Sequence, residues 1–187
     1  AWISAAGDTV CTDRRRHRFF AGEGYRQIDI DVTLMASAGR LVMGDTKEGS
    51  LAIRVPATLR AKGEVAQGRV VTSEGKRDGE AWGSRAKWCA DVGPVEGQTV
   101  GVTLMDHPSN PRHPTWWHAR TYGLIAANAV GQHDFEKKPE GTGDLVVEPG
   151  QELTFRYRVV FHEGDTETAS IEKIYTAFST QPEDTGP

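Results

Sequence analysis

The stretch 106–120, DHPSNPRHPTWWHAR, concentrates the side chains best suited to chemistry: Asp106, His107, Asn110, His113, Trp116, Trp117, His118 and Arg120. Three of the six histidines and two of the five tryptophans fall here, and Pro108, Pro111 and Pro114 restrict the backbone before any ligand arrives. Imidazole titrates near neutrality, so His107, His113 or His118 could act as a general acid or base. Asp106 would tune it and Arg120 would stabilise developing negative charge. The same histidines, with Asp106, could instead supply ligands to a divalent metal, although their spacing is unlike that of an HExxH helix. In a third reading Trp116 or Trp117 offers an apolar platform to a sugar ring while Asp106, Asn110 and Arg120 bind its hydroxyls. Against all three stands a structural role, in which the tryptophans are core and the histidines and Asp106 tie the loop together by hydrogen bonds.

Two further stretches could border the same cleft. Gly44-Asp45-Thr46-Lys47-Glu48-Gly49-Ser50, followed by Arg54, reads as a solvated turn, or as a segment that brings Lys47, Glu48 and Arg54 to face the histidine loop. Trp82, Arg85, Lys87 and Trp88 read as interior packing with snorkelling stems, or as one wall of a pocket. Asp106 and Glu48 are candidates for a paired-carboxylate mechanism, but their separation in space is not readable from spacing in sequence.

The elements that must hold these groups are strands. Over 27–34, Ile28, Ile30, Val32 and Leu34 alternate with Asp29, Asp31 and Thr33, and over 153–161 Leu153, Phe155, Tyr157, Val159 and Phe161 alternate with Thr154, Arg156, Arg158 and Val160. Shorter strands are expected at 50–55, 69–72, 99–105, 122–126 and 144–147, punctuated by glycine and proline turns. This pattern predicts an all-β fold, an antiparallel β-sandwich over residues 1–180 as a single domain. One short amphipathic C-terminal helix follows Asp165 as N-cap, with Ile171, Ile174, Tyr175 and Phe178 on its apolar face. The polar tail 181–187 is expected to be flexible.

Composition narrows the function classes. With 26 acidic and 22 basic residues the net charge is −4, which gives no electrostatic funnel for nucleic acid. The local cluster Arg14, Arg15, Arg16, His17 and Arg18 reads as a solvated loop or strand end. No apolar run approaches the ~20 residues that cross a bilayer, so no membrane partner is expected and the chain reads as soluble. Cys11 and Cys89 form no CxxC motif; they either pair across the fold or stay as separate buried thiols, and the compartment stays open. The chain starts at Ala1, which suggests a processed chain or a portion of something longer.

The pieces RQIDIDVTL, GDTKEGSLAIRV, WGSRAKWC, GPVEGQTVGVTLMDHPSNPRHPTWWHARTYGLIAAN and LTFRYRVVFHEGD together resemble a bacterial family catalogued as "methane oxygenase PmoA", the PmoA-like proteins. The likeness spans nearly the whole chain; it departs at Asn128-Ala129-Val130-Gly131, where the family pattern is Asn-Pro-Phe-Gly. A methane monooxygenase subunit would be an apolar membrane protein, so the family's label does not transfer as an activity. The resemblance implies instead a carbohydrate-associated, mutarotase-like sandwich. It also implies an additional N-terminal half with its own histidine-rich motif, without which half of a shared site would be missing; the expected partners beside a small-molecule carbohydrate are that portion or a second copy in a homo-oligomer.

Two classes of function follow. One is a carbohydrate-active enzyme, a hydrolase or lyase acting on a glycoside or oxidised sugar, with protons moved by His107, His113 or His118 and the ring held by Trp116, Trp117, Asn110, Glu48 and Arg54. The other is a non-catalytic carbohydrate-binding or assembly module. Imidazoles and carboxylates converging in a cleft favour the first; a flat exposed tryptophan platform favours the second.

Overall fold

The two alternating stretches lie side by side at the centre of the principal sheet. The structure, a computed structural model, describes residues 1–182. Its strands are β1 (Trp2–Ile3), β2 (Thr9–Gly22), β3 (Tyr25–Met35), β4 (Leu41–Met43), β5 (Leu51–Arg54), β6 (Arg69–Thr72), β7 (Trp88–Val95), β8 (Gln98–Asp106), β9 (Trp116–Trp117), β10 (Leu124–Asn128), β11 (Leu145–Val147) and β12 (Glu152–Glu163). The α-helices are α1 (Gln132–Glu136) and α2 (Ile171–Ser179). A seven-stranded sheet runs β1-β2-β3-β12-β8-β7-β6, a three-stranded sheet β5-β10-β9, and a two-stranded sheet β11-β4. Every pairing between these strands is antiparallel. No helix among the described residues is long and apolar enough to cross a membrane.

The seven-stranded and three-stranded sheets face each other, as the alternation predicts. Leu34, Phe155, Tyr157 and Val159 are buried against Trp117, Ala119, Ile125 and Ala127, with Ile30, Val32, Leu51 and Ile53 packed at the margin. Phe155 and Tyr157 stack with ring centroids 6.2 Å apart. Ile28, expected in the core, is half-buried. Its cross-strand partner Phe19 is exposed, because the small sheet does not extend that far. Cys11 and Cys89 are both buried and free.

The opposite, polar face of the large sheet is also covered. Trp88, Val92, Met105 and Val160 form a second apolar cluster beneath Ile171, Tyr175 and Phe178 of α2. Beside it, Arg158 donates to both carboxylate oxygens of Asp29, and its guanidinium lies 4.7 Å from the Phe178 ring centre. Arg158 and Asp29 are almost fully buried. The arginine-rich cluster therefore falls inside β2 rather than in a loop or at a strand end. Alternate arginines of β2 meet the aspartates of β3, Arg16 opposite Asp31 and Arg18 opposite Asp29, and Arg18 reaches Asp31 at 3.1 Å. Cross-strand charge pairs on one face make a run of like charges compatible with a strand.

Helix α2 begins six residues after Asp165. The Asp165 carboxylate closes a preceding turn, accepting from the Thr168 amide and hydroxyl, and Ser170 takes a left-handed conformation at the helix entrance. The short helix α1 and the two-residue strand β9 carry too few residues for periodicity to reveal them. Of the tail, Gln181 and Pro182 are described; the rest of the expected flexible stretch lies outside the described residues.

One of the buried groups left without compensation is a whole carboxylate. Asp91 on β7 is fully buried and neither carboxylate oxygen has a hydrogen-bond partner among the described residues. Burial, then the nearby Asp78, pushes its pKa up to about 7. An unfolded carboxyl ionises near pH 4 while the folded one still holds its proton, so stability is greatest below that value and falls as pH rises to about 7. Asp91→Asn should therefore exceed the wild type in stability by up to about 4 kcal/mol at pH 8 and match it near pH 4. Urea unfolding at both pH values measures this; a difference independent of pH would contradict the assignment.

Candidate functional site

The stretch 106–120 holds two different environments. At its start Asp106, on the last position of β8, is buried and fully used: it accepts from Asn110 Nδ2 (2.7 Å), His113 Nδ1 (2.7 Å) and the Thr115 amide (3.0 Å). Asn110 in turn spans to β12, donating to the Arg156 carbonyl and accepting from the Arg156 amide. Arg112 donates to the carbonyls of Ala129, Gly143 and Asp144. These bonds fix the proline-containing loop to three other segments.

The three histidines do not converge. His107 lies beneath α2, edge-on to Phe178 at 5.0 Å, with the Arg156 guanidinium 3.1 Å from Nε2. Burial, then the charge of Arg156, drives its pKa down to about 4. His113 is oriented by Asp106 and places Nε2 3.4 Å from the Tyr175 hydroxyl. Burial, then Asp106, pushes that phenol up to about 12. Among the described residues no group of three or more His, Cys, Asp or Glu is placed to hold a metal ion.

His118 stands apart on the outer face of the three-stranded sheet. It exchanges backbone hydrogen bonds with Ala126, which pairs with Ala52, while Arg120 pairs with Leu124 and Leu124 with Arg54. Because Trp117, Ala119, Ile125 and Ile53 point into the core, His118, Arg120 and Arg54 share the opposite face. The loop between β4 and β5 crosses this face. Asn128 donates to the Thr46 carbonyl at 2.7 Å, and the backbone of Gly49 lies so near β10 that a Cβ there would sit 2.9 Å from the Ala127 carbonyl oxygen. Gly49 has φ +89°, so glycine is required on both counts. Lys47 and Glu48 are thereby carried to the side of His118.

Trp82 and α1 form the opposite border. The indole meets His118 edge-on at 6.5 Å and Phe135 at 5.1 Å, which places Asp134 on the same side. At the third border Tyr122 lies within 5.9 Å of the Arg54 guanidinium and 5.5 Å of that of Arg120. His118 is 3% exposed, and its Nδ1, like Nε1 of Trp82, has no hydrogen-bond partner among the described residues. Burial, then Arg120, holds this imidazole below its ordinary range, partly opposed by Glu48 and Asp134.

The expected residues thus sort cleanly. His118, Arg120, Arg54 and Glu48 come together; Asp106, Asn110 and His113 form the loop's internal network; His107 packs under the helix. Trp116 and Trp117 are buried, the first donating to Glu136 and covered by Arg85 at 4.4 Å, the second donating to the Ala86 carbonyl, so neither offers a platform. Trp82, considered as a pocket wall, borders His118. Tyr122 and Asp134 carry no distinguishing signal in sequence, since one sits in a turn and the other in a helix of five residues. Hollows are found elsewhere: about 730 Å³ beside α2, bordered by Gln27, Arg158 and Lys173, and about 480 Å³ at the open end of the sandwich, bordered by Arg54, Leu59 and Phe161. No residue of 106–120 lines either.

The sequence model of a family of unknown function, DUF6807, matches residues 1–176. No curated protein and no solved structure matches the chain.

The Asp106 network predicts a stability role. Asp106→Ala leaves three donors without their acceptor, each costing ~1–3 kcal/mol, so the variant should lose at least about 3 kcal/mol. Denaturant unfolding checks this, and wild-type stability would show that the loop is held by other contacts.

Proposed function

The chain belongs to the DUF6807 family, and we propose that it is a carbohydrate-active enzyme, a hydrolase or lyase, whose substrate occupies the outer face of the three-stranded sheet. The observation that carries this reading is the pair of buried, unpartnered nitrogens, His118 Nδ1 and Trp82 Nε1, bordered by Glu48, Arg120 and Arg54. Buried polar atoms are almost always satisfied, and two vacancies on neighbouring rings suit the hydroxyl groups of a ligand. The likeness to PmoA-like proteins noted in the sequence favours a sugar as that ligand.

In this reading the low pKa of His118 keeps the imidazole neutral at physiological pH, with one basic nitrogen to accept a proton. A lyase would use it to remove a proton next to a carbonyl or carboxylate, and a hydrolase to activate water. Arg120 stands on the same face to stabilise the negative charge that develops. The indole N–H of Trp82 orients the ring, and Glu48 and Arg54 bind at its edges. The buried positions of Trp116 and Trp117 remove the flat platform that would have favoured a purely binding role.

The test is turnover and melting temperature measured together on His118→Ala and the bulkier His118→Gln, across glycosides and their keto derivatives. Loss of about 10²-fold or more in kcat/KM with nearly unchanged melting temperature is expected. In the wild type the acid limb of kcat/KM should fall below pH 6.5, because protonation removes the base and burial has lowered its pKa. Full turnover in folded variants would overturn the assignment.

A further inference from the structure

Arg54 and Arg120 share one aromatic ring. They project from the same face, one on either side of Leu124, and both guanidiniums lie against the ring of Tyr122. Among the described residues neither has a carboxylate within ion-pair distance or a hydrogen-bond acceptor for its N–H groups. The neighbouring charges do not balance them: Lys47 pairs with Glu48 at 3.7 Å. Like charges repel, and a shared aromatic ring offsets only part of that cost, on the order of 0.5–1 kcal/mol per contact at an exposed site. Ten forked donors on one face of the sheet without an acceptor suit an anionic ligand.

The second observation is His118, two residues from Arg120 on the same face. Its side chain is almost completely buried and Nδ1 lacks a partner, so the ligand that reaches the arginines also passes a vacant polar position. A single ion would leave this nitrogen and the Trp82 indole unsatisfied. A ligand carrying both hydroxyls and an anionic group would engage all of them.

Resting on the carbohydrate reading above, we infer that the substrate is an acidic sugar, whose carboxylate or phosphate is held by Arg54 and Arg120 beside Tyr122 while its ring hydroxyls meet His118 and Trp82. The anionic group then fixes the ring's direction along the sheet face, with the charged end at the arginines and the remainder toward Glu48 and Asp134. Repulsion by these carboxylates opposes the reversed orientation.

Titration calorimetry with the methyl glycosides of glucose and galactose, their 6-uronates and their 6-phosphates tests this on the full chain. Charge-assisted hydrogen bonds predict that an acidic sugar binds roughly tenfold to a hundredfold more tightly than its neutral counterpart. Arg54→Gln and Arg120→Gln should each reduce that preference for the acidic over the neutral sugar, and rising salt should weaken the acidic ligand alone. Tighter binding of uronates identifies a carboxylate; tighter binding of the 6-phosphates identifies a phosphate ester. Equal affinity for neutral and acidic sugars would overturn the inference and leave the carbohydrate site standing. Absence of binding by every sugar, neutral or acidic, would overturn both.

Discussion

One buried carboxylate organises the segment on which the candidate site depends. Asp106 ends the strand β8 and takes hydrogen bonds from Asn110, His113 and the Thr115 amide. Thr115 directly precedes β9, so the bond to its amide sets where the next strand begins. From there Trp117 enters the core and His118 alternates to the outer face. A buried carboxylate with three donors is costly to unmake, since each donor would lose its partner away from water. The loop's composition thus serves position first. Its chemistry is expressed only at the far end, at His118 and Arg120, where the chain has crossed to the other sheet.

A second constraint acts on the opposing wall. The Asn128 side chain donates to the Thr46 carbonyl, and Gly49 lies against β10 more closely than a residue with a side chain could. The segment that reads as a solvated turn is therefore a strap drawn over the small sheet. Asp45 strengthens the attachment by accepting from the amides of His133 and Gly143. These contacts bring charges distant in sequence, Glu48 and Asp134, to either side of one imidazole.

How much of this was legible in the sequence depends on the element. The strands around 27–34 and 153–161 were readable because their apolar residues alternate, yet alternation could not say that the polar face would be buried too. Asp29 and Arg158 satisfy each other beneath α2, and a side chain that finds its counter-ion in the fold looks, in sequence, like one that finds water. The same blindness hid β2, whose arginines suggest solvent until the aspartates of β3 are placed opposite them. In the candidate site, residue type singled out His118, Arg120, Arg54 and Glu48, but not their separation from His107 and His113. That separation follows from a change of sheet within a few residues, for which periodicity has no signal. The tryptophans misled for a related reason: an aromatic pair is equally suited to a platform and to a core, and here the sandwich interior takes one and Arg85 with Glu136 enclose the other.

The account's central claim is that the imidazole of His118 is the polar floor of a ligand site. Nitrogen-detected NMR of the histidine side chains, with and without methyl glycosides and uronides, addresses it most directly. The account predicts that His118 is neutral at pH 7, that one of its ring nitrogens shifts on ligand addition together with the Trp82 indole N–H, and that His107 does not respond. A His118 resonance that stays unchanged while ligand binds elsewhere on the protein would contradict it.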